Sequence, residues 1–209
     1  MDKTSISSKS LYRLLIYQRC LHKLVENAIE TVSSSALAKA AGVNPAQLRK
    51  DLANFGQIGT RGLGYPVEDL MEAIRDFLGK TALQPVILIG AGNLGSALIR
   101  YDGFQRGGFE VIGAFDLFPQ SVKSKDLSVP IYPMDNLTTF IQQKKIKLAI
   151  LCVPSEYAQE VANTLTLAGI GGILNFSPTV LQVPASVTVN NVDLALELEN
   201  LSYFVTQDH

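Results

Sequence analysis

Pro85-Val86-Ile87-Leu88-Ile89 is an unbroken apolar run that leads directly into Gly90-Ala91-Gly92-Asn93-Leu94-Gly95. A strand without polar alternation is buried on both faces, as a central strand of a helix-covered parallel sheet is. A G-x-G-x-x-G turn directly after such a strand, and before a helix, is the phosphate-binding junction of a dinucleotide-binding unit. Gly90 permits the tight turn, Gly92 lets backbone meet a pyrophosphate, and Gly95 allows the helix to lie against the strand. The helix is expected over Ser96–Tyr101, with its N-terminus toward the negative charge.

The chain beyond this junction alternates as an α/β protein should. Val111–Phe115 reads as the second strand and ends in Asp116, which lies 21 residues beyond Gly95. An acid at that place takes the adenosine ribose hydroxyls and repels a 2′-phosphate, so NAD(H) is favoured over NADP(H). Further strands are expected at Pro130–Tyr132, Lys147–Val153, Ile173–Phe176 and Val187–Val189, with helices at Met134–Gln143 and Tyr157–Ala168. Residues 81–192 are therefore read as a Rossmann domain, a doubly wound parallel sheet. Ligands bind outside the carboxyl ends of such strands. Val153, Pro154, Asn175, Phe176, Ser177 and Pro178 end there and are expected to line a nicotinamide pocket. The alternative is plain packing at the sheet edge, which is the preferred reading for Cys152. A last helix is expected over Asp193–Thr206. Its stripe of Leu194, Leu198, Leu201 and Val205 is broadened by Leu196, Tyr203 and Phe204, so this chain or a partner must cover it.

Residues 1–80 follow other rules. Apolar residues at helical spacing predict one helix over Ser8–Glu30, and Ser33-Ser34-Ser35 offers caps for a short second helix stopped by Gly42. Asn44-Pro45 restarts the chain as a third helix running to about Phe55. Leu48, Leu52 and Phe55 form its inward stripe and leave Gln47, Arg49, Lys50 and Asn54 outside. Two helices around a tight glycine turn have helix-turn-helix spacing. Side chains such as those of Asn44, Gln47, Arg49 and Lys50 match base edges and phosphates. A plain helical hairpin with a solvated face would look similar. The segment Gly56-Gln57-Ile58-Gly59-Thr60-Arg61-Gly62-Leu63-Gly64-Tyr65 favours DNA. Its four glycines suit a β-ribbon wing, and Arg61 at the tip suits a narrow minor groove. Val67–Leu78 is a further helix, and Gly79-Lys80-Thr81 the domain boundary.

Composition narrows the classes. With 47% hydrophobic and 18% charged residues the chain can bury cores, and no apolar run approaches a membrane span. The N-terminus lacks the layout of a signal peptide, and Cys20 and Cys152 form no CxxC. A reducing cytoplasm and no metal are expected. Residues 1–80 carry a net charge of +3 and residues 81–209 a net −4, which fits a head that meets phosphates. The two histidines, His22 and His209, are poorly placed to serve a hydride transfer, and no Tyr-x-x-x-Lys pair occurs. A sensor is favoured over a catalyst. An NAD-dependent oxidoreductase with an accessory helical domain is the alternative.

Taken together the segments resemble the Rex family of redox-sensing transcriptional repressors along nearly the whole chain. The resemblance rests on Gly42 through Leu52, the Phe55–Tyr65 wing, Gly90–Gly95, Ala168-Gly169-Ile170 and Gly172 through Phe176. It rests also on Val192-Asp193-Leu194-Ala195 with Glu197-Leu198. It implies a homodimer on a palindromic double-stranded operator, released by NADH with NAD⁺ competing. It further implies that residues 193–209 form a swapped helix, wedged between the partner's two domains. By position, Arg49 and Lys50 would read the major groove and Arg61 the minor groove. Arg19, Tyr101 and Asp193 would form the contact set that changes with redox state. One departure is Phe118-Pro119-Gln120 after Asp116, where the family has an acid before the proline.

Overall fold

The computed structural model describes residues 6–55, 58–60, 63–79, 83–120 and 127–206. The chain divides into two compact units, Met1–Ala82 and Leu83–His209.

In the first unit, Ser7 caps helix α1 (Ser8–Glu26) by accepting the Ser10 N–H at 3.2 Å. The helix stops four residues before the expected Glu30. Ala28 takes a left-handed φ of 54°, and the chain turns to feed a two-residue strand, β1 (Thr31–Val32). No such strand was expected, because two residues cannot display an alternation. Helix α2 (Ser34–Ala40) is capped by Ser33 and helix α3 (Pro45–Leu52) by Asn44, whose Oδ1 accepts the Ala46 N–H at 2.8 Å. A single 3-10 turn, Ala53–Phe55, extends α3. Strand β2 (Tyr65–Pro66) pairs antiparallel with β1, and helix α4 (Val67–Leu78) ends at the left-handed Gly79. Thr60 and Gly64 exchange backbone hydrogen bonds of 3.0 and 3.1 Å and so form an antiparallel bridge. Gly56, Gln57, Arg61 and Gly62 lie outside the described residues. The core gathers Leu14, Tyr17, Leu21, Leu37, Leu48, Leu70 and Ile74, all essentially without solvent contact.

The second unit contains β3 (Gln84–Ile89), α5 (Asn93–Ile99), α6 (Gly103–Arg106), β4 (Phe109–Asp116) and β5 (Ile131–Pro133). It continues with α7 (Leu137–Lys144), β6 (Leu148–Leu151), α8 (Ser155–Ala168), β7 (Gly172–Asn175), β8 (Thr188–Asn191) and α9 (Leu194–Thr206). All six strands are parallel, in the order β5-β4-β3-β6-β7-β8. Strand order reverses between β3 and β6, which opens a crevice beyond their carboxyl ends. Most boundaries move from expectation by one to three residues, and three of the shifts bear on the site. Helix α5 starts at Asn93 rather than Ser96, β6 stops at Leu151 as the chain turns toward α8, and β8 starts at Thr188. The short α6 was not expected.

One sheet face, with Ile87, Ile89, Phe115, Leu151 and Ile173, packs on α7 and α8 through Leu137, Ile141, Ala158 and Leu165. The other face is only partly covered. Residues 176–187 join β7 to β8 without a helix, and an apolar groove of about 420 Å³ lies over Val86, Val111, Leu148, Ile150 and Leu174. The apolar side chains of α9 are also uncovered: Leu194, Leu198, Leu201, Phe204 and Val205 are 58–66% exposed.

Candidate nucleotide and nucleic-acid sites

The turn after β3 is built as the glycine spacing requires. Gly90 has φ +91°, and a Cβ there would stand 2.5 Å from the Cys152 carbonyl oxygen. A Cβ on Gly95 would overlap the Gly90 carbonyl, whereas one on Gly92 would meet nothing within 4 Å. Gly90 and Gly95 are therefore required by the protein's own packing, and Gly92 faces free space. Asn93 and Leu94 are exposed at the start of α5, and Ser96 Oγ donates to the Ala91 carbonyl at 2.7 Å.

Asp116, at the end of β4, is tied to this turn. Its Oδ2 accepts the Ala91 N–H at 2.8 Å and its Oδ1 the Phe118 N–H at 2.9 Å. Each carboxylate oxygen keeps a further lone pair, so the group can still accept from a pair of ribose hydroxyls. Sequence spacing pointed to Asp116 but not to its grip on Ala91.

The ends of β6 and β7 close the crevice. Val153 is half-buried, Pro154 is exposed, and both lead into α8. Asn175 is fully buried, and its Nδ2 is shared among the Ser177 carbonyl (3.1 Å), the Thr179 carbonyl (2.9 Å) and Asn191 Oδ1 (2.9 Å). Its Oδ1 accepts the Ser177 N–H at 3.0 Å. Asn175 thus folds the Phe176–Thr179 loop, and its amide is engaged within the protein. Phe176 is half-buried and Pro178 exposed, while the buried Ser177 Oγ has no hydrogen-bond partner among the described residues. A buried hydroxyl left unpaired beyond a parallel sheet fits a polar ligand arriving there. Cys152 offers no nucleophile: burial pushes its thiol up to about 12, so it stays protonated.

Tyr101, 55% exposed, stands edge-on to Phe104 with ring centres 5.3 Å apart. Asp193 caps α9, its Oδ1 accepting the N–H groups of Ala195 (3.0 Å) and Leu196 (3.1 Å). Arg19 is exposed on α1 in the first unit.

On α3, Arg49 and Lys50 are exposed, and Arg49 Nη1 lies 3.4 Å from Ser34 Oγ on α2. The expectation that Gln47 points outward is revised. It is half-buried, and its Nε2 donates to Asp51 Oδ1 at 2.8 Å. Asp51 is 5% exposed and binds Arg13 in fork fashion, Nε to Oδ2 at 2.6 Å and Nη2 to Oδ1 at 2.7 Å. Tyr17 Oη adds a third donor at 2.9 Å. Burial raises the Asp51 carboxyl's affinity for a proton, but the bonds from Arg13, Tyr17 and Gln47 outweigh it and hold the group below the usual carboxylate range. Sequence reasoning does not point to this cluster, although position 51 lies on the inward stripe, three residues after Leu48. An acid on that stripe must find partners.

Among the described residues no helix is long and apolar enough to cross a membrane, and no group of His, Cys, Asp and Glu could hold a metal ion.

Comparison with known proteins follows the two units. Residues 5–53 match the family model described as putative DNA-binding protein N-terminus, and residues 81–179 the model described as CoA binding domain. The redox-sensing transcriptional repressor Rex of Carboxydothermus hydrogenoformans is 42% identical over 100% of both chains. The Rex of Desulfitobacterium hafniense is 44% identical over 98% of each. A crystal structure of RSP in complex with β-NAD⁺ and operator DNA matches with a TM-score of 0.87 and 38% identity, covering 98% of this chain and 94% of that one. RSP in complex with β-NADH matches with a TM-score of 0.83 and 36% identity, over 98% and 96%.

Proposed function

The chain belongs to the Rex family of redox-sensing transcriptional repressors, and we propose that it is an NADH-sensing repressor that binds operator DNA through its first unit. The carrying observation is the joint presence of two features in one chain. One is a glycine turn anchored by a ribose-ready carboxylate, Ala91 N–H to Asp116 at 2.8 Å. The other is a capped helix, α3, that presents Arg49 and Lys50 outward. NAD(H) suits this turn better than coenzyme A, whose ribose carries a phosphate that Asp116 would repel.

NAD(H), when bound, supplies one change between its forms: a positive charge on the nicotinamide ring, present when oxidised and absent when reduced. Val153, Pro154, Phe176, Pro178 and Tyr101 are the residues that would hold that ring and would give it largely apolar surroundings. Burying an unpaired charge is costly, so these residues favour the neutral reduced form. Ser177 Oγ gives the pocket a polar contact, and Asn175 keeps the loop in place. Arg19, Tyr101 and Asp193 form the contact set that differs between the DNA-competent and released states. Asp193 serves both as the α9 cap and as a member of that set. Arg61, outside the described residues, is assigned to the minor groove from the sequence alone.

Two apolar surfaces support a homodimer: the groove of about 420 Å³ on the open sheet face and the uncovered side chains of α9. A swapped α9 would bury both, and a two-fold dimer meets a palindromic operator. We take the protein to act in the cytoplasm as a sensor rather than a catalyst, as its relatives are named transcriptional repressors. The working division is a DNA-binding domain over 1–80, an NAD(H)-binding domain over 81–192 and a dimerisation helix over 193–209.

Selection from random duplexes by the purified protein with NAD⁺ is expected to enrich an inverted repeat, and NADH offered 2-oxo acids, aldehydes or ketones is expected to remain unoxidised. Failure to enrich any sequence would remove the repressor reading. Steady turnover would restore the oxidoreductase.

A further inference from the structure

The cluster around Asp51 is more elaborate than a helix contact requires. The carboxylate is held by the Arg13 fork and by Tyr17, both on α1 and 38 and 34 residues away in sequence. An ionised carboxylate accepts hydrogen bonds and donates none. Gln47 therefore has to turn its amide nitrogen toward Asp51, 2.8 Å away, and its Oε1 away from it. Oε1 has no hydrogen-bond partner among the described residues. Arg49 and Lys50 can only donate, and the side-chain oxygen of Asn44 at the cap is engaged by the Ala46 N–H.

We propose that Asp51 is a specificity-determining positioning residue: by holding the Gln47 amide nitrogen, it presents Gln47 Oε1 to the major groove as an acceptor. In that groove adenine and cytosine each offer an exocyclic amine, whereas guanine and thymine offer acceptors. Gln47 so held selects adenine or cytosine at one strand position of each half-site and repels guanine or thymine. A free glutamine could rotate its amide and accommodate either class. The fork from Arg13 fixes the carboxylate plane and so fixes this choice. The proposal rests on the reading of α3 as the recognition helix.

The test uses the whole protein with NAD⁺ and duplexes built on the selected operator, carrying each of the four bases at each half-site position. In the wild type, one position is expected to bind adenine and cytosine roughly tenfold more tightly than guanine and thymine. Gln47→Ala should flatten the four affinities at that position to within about twofold. Asp51→Asn offers Gln47 either a donor or an acceptor, so guanine and thymine should come to within about threefold of adenine and cytosine there. Asp51→Asn also strands the Arg13 charge. If it does not fold, Arg13→Met/Asp51→Asn replaces it, because no buried charge is then left unpaired. A Gln47→Ala protein that keeps the wild-type ranking at every position overturns the proposal. So do Asp51 variants that weaken all four bases equally, for then Asp51 only fastens α3 to α1. A wild type with no base preference at any position overturns the recognition-helix reading itself.

Discussion

Replacing Arg49 and Lys50 together by alanine is expected to lower operator affinity at least hundredfold at fixed salt. Each base-edge contact of this kind is worth about 1–3 kcal/mol, and a dimer would lose both contacts twice. The scaffold should tolerate the change. Leu48 and Leu52 carry the buried side of α3, and the Asp51 cluster does not involve either cation. The contact of Arg49 with Ser34, at 3.4 Å between exposed side chains, adds little stability. Substitutions at such surface positions stay within roughly 0.5 kcal/mol, so the melting temperature should hardly move. Residual binding should also depend less steeply on salt, since fewer counterions are displaced. Anisotropy titrations at two salt concentrations check both points, and unchanged affinity in the double variant would remove α3 from the interface.

NADPH is expected to bind at least a hundredfold more weakly than NADH. The cause is a fixed negative charge that cannot swing away. Asp116 is pinned by the Ala91 N–H at 2.8 Å on one oxygen and by the Phe118 N–H at 2.9 Å on the other. A phosphate about 4 Å from this carboxylate would be repelled by about 4 kcal/mol at an effective dielectric of about 20, before water and counterions reduce it. Asp116→Ala should weaken NADH about tenfold by removing the ribose hydrogen bonds, and bring the two cofactors close together. It should also loosen the glycine turn, whose Ala91 N–H loses its acceptor. Calorimetry of both cofactors against both proteins decides the matter. Equal affinities in the wild type would place Asp116 away from the ribose.

The features that proved legible were those in which a local pattern carries its own physical reason. Val86 through Ile89 read as a doubly buried strand, and they are the centre of the sheet. Gly90 and Gly95 occupy positions where a Cβ would strike backbone. Asn44-Pro45 announced the start of α3, and Asp116 was found by spacing. What escaped was set by distant partners. Strand β1 exists because Tyr65–Pro66 lies alongside it, and nothing in Thr31-Val32 announces that. The sequence pattern expects Asn175 beside the cofactor but does not reveal that its amide is bonded to Ser177, Thr179 and Asn191. A helical wheel sets Gln47 outside because it shows direction and not hydrogen bonds. Nothing beside Asp51 in sequence points to Arg13, 38 residues earlier, which binds it. Arg19, Tyr101 and Asp193 were grouped through the family resemblance alone. The structure adds that Asp193 caps α9 and that Tyr101 rests against Phe104.

In the proposed switch, the two forms of one cofactor set DNA affinity through their unequal preference for two states of the protein. Such coupling is reciprocal by thermodynamic necessity. The most direct test is therefore a single closed cycle: the affinity for operator with NADH and with NAD⁺, and the affinity for each cofactor with and without operator. NADH is expected to weaken operator binding at least tenfold relative to NAD⁺, and operator to weaken NADH binding by the matching factor, within the usual coupling range of about 1–3 kcal/mol. Operator affinity that is the same with NADH, with NAD⁺ and with neither would mean that the cofactor does not control DNA binding.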